Sequence, residues 1–200
     1  MYTLMDSDKE VLTKYLKTGG GLILTGQNIT EQYDDHTFFQ TALKVSCTNF
    51  FCPVQDVTGF GIKFALTGGS DNQKAPDWYE ALPGGEQIFT YADGKSAGVY
   101  AKTYVGKSAA CGFGIESIAL SERTKVIDAL VKLVAPSKAD VIKRVVYFDS
   151  EEQQKRWIEL HGSKLASLND FELNQLKVLA IEKKCRPLLK MLNNKSITDE

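Results

Sequence analysis

The sequence predicts an α/β fold: a mostly parallel sheet flanked by helices, with an antiparallel edge, plus a helical C-terminal appendage. Three observations carry this expectation. A helix-like segment ends on Gly19-Gly-Gly21, and the short apolar run Leu22-Ile-Leu24 follows before a turn at Thr25-Gly-Gln-Asn28. A run too short for a buried helix and bounded by glycine reads as a covered, interior strand. Short alternating runs between Val45 and Tyr104 read as further strands, and the chain beyond Pro136 turns to helix caps and helical spacing.

Ser7-Asp-Lys-Glu10 spells a capping box, predicting a helix from about Asp8 to Lys17 with Val11, Leu12, Tyr15 and Leu16 on one face. Gly19 or Gly20 supplies its left-handed stop. A doubly wound sheet normally has strands before such a helix. The chain is therefore expected to be truncated at its front or to have rearranged its sheet order. After the strand, Thr30 to Leu43 reads as an aromatic helix. The runs Ile62–Leu66, Gln87–Tyr91 and Ala97–Tyr104 read as strands, the last pairing with Lys107–Phe113 through a turn at Val105-Gly106, toward one edge of the sheet. Gly68 to Asp77 is a long polar loop, of the kind that binds ligands or moves.

A helix from Ser121 carries Val126, Ile127, Leu130, Val131 and Val134 on one stripe and is closed by Pro136. That proline marks the boundary between a domain of residues 1–136 and an appendage of residues 137–200. The appendage is expected to open with a strand, Val141–Asp149. Capping patterns at Ser150 to Gln153 and Asn169 to Glu172 start two helices, and Pro187 begins a third. Trp157, Ile158 and Leu160 with Leu176, Leu179 and Ile181 form an apolar seam that packs on the body or on a partner.

Composition excludes little but points consistently. With 24 basic and 25 acidic residues the net charge is -1, so no global charge argues for nucleic acid or an acidic membrane surface. No stretch approaches the roughly 20 apolar residues of a membrane span. The opening Met-Tyr-Thr-Leu-Met-Asp does not read as a signal sequence, and no compartment is assigned. Cys47, Cys52, Cys111 and Cys185 are too few for a disulfide scaffold, and one C-x4-C pair beside two histidines does not make a zinc site. A Cys47 to Cys52 disulfide stays open for an exported protein. No cofactor or metal is expected.

The helix, Gly19-Gly-Gly21, the strand, Thr25-Gly-Gln27, the aromatic β runs and Cys111-Gly-Phe-Gly-Ile-Glu-Ser-Ile118 before a helix resemble the later half of the class I glutamine amidotransferase-like fold. The resemblance spans residues 7–134 and is closest to the catalytically silent versions attached to secreted bacterial proteases and glycosidases. The active family places a nucleophilic cysteine on the turn after the strand, where this chain has Leu24-Thr-Gly-Gln27. A second landmark, Phe-His-Pro-Glu, lies against Phe113-Gly-Ile-Glu116, so Gly114 stands where the base would be. A thiolate nucleophile needs a base and an orienting group. No catalytic residue is assigned.

Beyond the strand end, Thr25, Gln27, Asn28 and Glu116 are the candidate ligand-binding residues, set against turn hydroxyl, turn amide and helix-cap readings. Cys111, between Ala110 and Gly112, reads as a buried, inert thiol. His36, beside Asp34 and Asp35, reads as solvated. His161, before Gly162, sits where a helix dipole favours a cation. Lys177, Lys183, Lys184, Arg186 and Lys190 form a basic face interspersed with glutamates. The expected function is a non-catalytic accessory or interaction domain whose partner is an adjacent domain or an oligomer partner. The alternatives are a hydrolase or transferase near Thr25, Cys111 and Glu116, and a protein- or nucleic-acid-binding module through the basic tail.

Overall fold

The computed structural model describes residues 4–30, 37–49, 51–67, 69 and 73–195. Two compact units emerge, Met1–Leu16 with Gly20–Ala135, and Lys17–Gly19 with Pro136–Glu200.

The first unit is mixed α/β. Helix α1 spans Asp6–Lys17 and leads into β1, Gly21–Thr25. The cap differs from the expected Ser7 box: Met5 donates its amide to the Asp8 carboxylate at 2.8 Å, and the helix starts two residues earlier, at Asp6. Gly19, at φ 83°, is the left-handed stop. Residues 31–36, including His36 and the first part of the helix expected from Thr30, lie outside the described residues. The segment Phe39–Leu43 is a π-helix ending on left-handed Lys44. Strands β2 (Val45–Asn49), β3 (Asp56–Gly59), β4 (Ile62–Ala65), β5 (Trp78–Ala81), β6 (Gly85–Tyr91), β7 (Ser96–Thr103) and β8 (Gly106–Cys111) follow, and α2 spans Leu120–Val134.

The sheet order is β1-β8-β7-β6-β3-β4, with β5 pairing β7 and β2 pairing β5. Among the described strands only β1 and β8 run parallel. The other pairs are antiparallel, so the expected mostly parallel sheet is corrected to a mostly antiparallel, curled one. The positions of the two runs are also exchanged. β1 pairs only with β8 among the described strands and is half-buried along its whole length, whereas the β7–β8 hairpin is interior. The reason lies in side-chain size. Ser108, Ala109, Ala110 and Cys111 are small, and all are buried, so β8 is covered on both faces without a long apolar run to announce it.

Each face of this sheet carries a core. On one, Phe64, Phe89 and Phe113 meet edge to face at 5.6–5.8 Å, with Val126, Leu130 and Val134 of α2 in the same cluster. On the other, Leu16 of α1 and Phe39, Ala42 and Leu43 of the π-helix join Val99, Ala110 and Tyr79. Ile127 and Val131, expected in the α2 stripe, are 37% and 49% exposed.

Among its described residues the second unit has only helices and turns: α3 Lys138–Lys143, α4 Glu151–His161, α5 Asp170–Glu182 and α6 Arg186–Lys195, with 3-10 turns at Arg144–Tyr147 and Gly162–Ser167. The expected strand Val141–Asp149 is therefore corrected to helix. Ser137 and Asp140 form a reciprocal capping box at 3.1 and 3.0 Å, and Ala139, Ile142, Val145 and Val146 are buried at helical spacing. A continuous apolar run does not discriminate strand from buried helix, and here the cap decides. The Asn169–Glu172 box forms, while at Ser150 the hydroxyl accepts the Gln153 amide. Leu176, Ala180, Cys185 and Leu188 are buried, with Trp157, Ile158 and Leu179 packed against them. Leu160 and Ile181 do not join the seam and are 66% and 58% exposed. No helix of the described residues is long and apolar enough to cross a membrane.

Candidate functional site

Because β1 and β8 run parallel, with Thr25 level with Cys111, the loops 26–30 and 112–118 leave the sheet at the same end. In open α/β sheets such a pair of carboxyl ends frames a crevice for ligand. Here the segment Gln73–Asp77 lies across both loops as a strap.

Four sets of hydrogen bonds hold it. The Gln73 side chain accepts from the Gly114 amide at 2.8 Å and donates to the Glu116 carboxylate at 3.4 Å. Gln27 Oε1 accepts both the Lys74 and Ala75 amides at 2.9 Å. The Asp77 carboxylate accepts the amides of Asn28 at 3.0 Å and Ile29 at 3.2 Å, and its own amide donates to the Gly112 carbonyl at 2.7 Å. The buried Tyr91 hydroxyl closes on the Asp77 carbonyl at 3.1 Å.

Asp77 is fully buried, a costly place for a carboxylate unless hydrogen bonds compensate it. Its two acceptor bonds draw successive amides toward one side chain, with Asn28 at φ 55°. Asparagine tolerates that left-handed conformation better than most residues. A side chain at Gly112 would run into the Asp77 backbone, so the close approach of strap and loop requires glycine there.

The candidates sort accordingly. Gln27 and Asn28 are in the crevice but hold the strap, Gln27 by its side chain and Asn28 by its amide. Thr25 ends β1 half-buried. Glu116 belongs to a 3-10 turn, exposes its side chain, and does not cap α2, whose cap residue is Ala119 without a side-chain bond. Its carbonyl instead accepts from Arg123 of α2 at 2.7 Å. The Glu116 carboxylate also fills the space that a side chain at Gly114 would take.

Cys111 is fully buried, and burial pushes its thiol well above the ordinary range. Burial raises Cys52 and Cys185 as well. All four cysteines are free thiols, so Cys47 and Cys52 form no disulfide. Cys52 Sγ instead accepts the Trp78 indole N–H at 2.6 Å. His161 stands at the end of α4 in the second unit, where partial burial first, then Lys164 and Arg144, lower its pKa. The cation favoured by the helix dipole is thereby opposed. Lys164 Nζ lies 3.2 Å from His161 Nδ1. Among the described residues no three His, Cys, Asp or Glu side chains are arranged to hold a metal ion.

The sequence reading missed Asp77 and Gln73 as organising residues. The available signal was the polar loop itself, long for a compact domain and rich in side chains able to accept amides. Compared with known proteins, the chain matches no family model and no curated sequence.

Proposed function

We propose that this chain is a non-catalytic accessory or interaction domain of amidotransferase-like ancestry, partnered by protein rather than acting on a small substrate. The observation that carries this reading is the strap: Gln27, Gln73 and Asp77, polar side chains around the carboxyl-end crevice, are engaged by amides of the domain's own loops. What a substrate would meet there is already hydrogen-bonded backbone. The thiol level with Thr25 adds support, since a nucleophile needs a low pKa or an adjacent base and Cys111 has a raised one. Gly114 offers no side chain to act as that base.

A direct test measures ester hydrolysis on p-nitrophenyl acetate and ammonia release from glutamine with the whole protein. The expected result is no turnover above buffer. Turnover that falls in Thr25→Ala, Glu116→Gln or Cys111→Ser would replace this reading with the hydrolase or transferase alternative.

A further inference from the structure

In the first unit, the loop after β1, the π-helix and β2 border a small cavity of about 50 Å3, lined by Thr30, Phe39, Gln40, Val45, Ser46 and Cys47. Left-handed Lys44, whose amide donates to the Phe39 carbonyl, turns the chain from the π-helix into β2 and so returns Val45 to Cys47 past Phe39 and Gln40. Single π-helical turns are rare and are found often at functional sites. Thr30, Phe39 and Val45 are buried, Ser46 and Cys47 half-buried and Gln40 exposed, so the cavity runs from a buried floor to a polar mouth.

Two groups in its wall stand out. Thr30 is fully buried, and its hydroxyl has no hydrogen-bond partner among the described residues. Leaving a buried hydroxyl unsatisfied is costly, and such a group calls for a guest that can bond it. Cys47 carries a thiol outside any disulfide, and of the four cysteines it alone is not fully buried. Its register pair is Tyr79 of β5, which fixes the β2 backbone beside the cavity. By volume the cavity has room for a guest of two heavy atoms, since a water takes about 30 Å3 of the liquid. Hydrogen peroxide has that size and both donates and accepts hydrogen bonds.

We propose that Cys47 is a modification site for hydrogen peroxide, which enters this cavity and is bonded there by the Thr30 hydroxyl. An electron pair of the Cys47 sulfur forms a bond to one peroxide oxygen and the O–O bond breaks. The departing hydroxide takes the thiol proton and leaves as water. Sulfur is oxidised by two electrons to the sulfenic acid while the peroxide is reduced. Thr30 donates to the departing oxygen and stabilises the charge that develops on it. One oxygen enters per chain and no turnover follows, so failure of this proposal would leave the non-catalytic reading standing.

The test treats the whole reduced protein at neutral pH with hydrogen peroxide and, separately, with tert-butyl hydroperoxide, whose butyl group exceeds the cavity. Oxygen uptake on each cysteine peptide is followed by mass spectrometry, with the urea-unfolded chain as the reference for both reagents. Hydrogen peroxide should oxidise Cys47 ahead of the other cysteines, and the folded protein should favour it over the bulkier reagent more strongly than the unfolded chain does. Thr30→Val, of like shape without the hydroxyl, should slow the hydrogen peroxide reaction roughly tenfold, the worth of one hydrogen bond to a charged group, whereas Thr30→Ser should keep the parent rate. Because valine removes an unsatisfied buried hydroxyl, its melting temperature should not fall. If that variant unfolds, the two peroxides on the parent protein decide. Uptake at Cys52, Cys111 or Cys185 ahead of Cys47, the same preference between peroxides in folded and unfolded chains, or a folded Thr30→Val reacting at the parent rate would overturn the proposal.

Discussion

Replacing Asp77 tests the strap most sharply. Asp77→Ala removes the acceptor for the Asn28 and Ile29 amides at a fully buried position. Each of the two donors that loses this acceptor costs about 1–3 kcal/mol, so the change should destabilise the unit by about 2–6 kcal/mol. Asp77→Asn keeps one acceptor but turns an amide N–H toward the other backbone N–H, and about half that loss is expected. For a unit of this size, 1 kcal/mol moves the melting temperature by roughly 3–5 °C. Alanine should therefore lower it by about 10 °C, and asparagine by an intermediate amount. Urea titration and thermal unfolding followed by near-UV circular dichroism on the whole protein read both values. An alanine variant melting within 1–2 °C of the parent, or an asparagine variant worse than alanine, would refute the reasoning.

Further outcomes follow from the same geometry. Gly112→Ala drives a Cβ into the Asp77 backbone and should cost about 1–3 kcal/mol, measured by urea titration. In the native protein at neutral pH, iodoacetamide should spare Cys111 and label it only on unfolding, because burial holds its thiol well above the ordinary range; mass spectrometry of the labelled peptides decides. His161 should titrate below its ordinary 6.5 in an NMR pH series, with its midpoint rising in Lys164→Met. A lowered folded pKa means the unfolded chain binds the proton more readily, so this contribution is present above pH 6.5 and is lost as pH falls toward the folded value. Leu176→Ala, at a fully buried position of the helical unit, should cost about 2–5 kcal/mol.

The sequence made legible the elements whose signals are local. The α1 stop at Gly19, the Asn169–Glu172 box and the pairing of the Ala97 run with the strand after it all rest on a few adjacent residues, and each is present. What failed depends on neighbours distant in sequence. The run Leu22-Ile-Leu24 has the apolarity of a buried parallel strand, yet β1 has one partner, because the small side chains of β8 let that strand take the interior position. Val141–Asp149 has strand-like composition, but the Ser137–Asp140 cap and the burial of every third or fourth residue make it helical. At the site, Gln27 and Asn28 are legible as crevice residues from the strand end alone. Their partners 47 to 49 residues away are not, since nothing local in Gln27 or Asp77 tells which amides they accept.

The central claim is that the crevice beyond β1 and β8 is closed by the domain's own strap. Hydrogen exchange read residue by residue on the whole protein measures this directly. The amides of Asn28, Ile29, Lys74, Ala75 and Gly114, each bonded to a strap or loop side chain, should exchange slowly in the parent protein, and those of Asn28 and Ile29 should lose protection selectively in Asp77→Ala. Exchange of these amides at the rate of an unstructured chain, while the β7 and β8 amides stay protected, would show an open crevice and contradict the account.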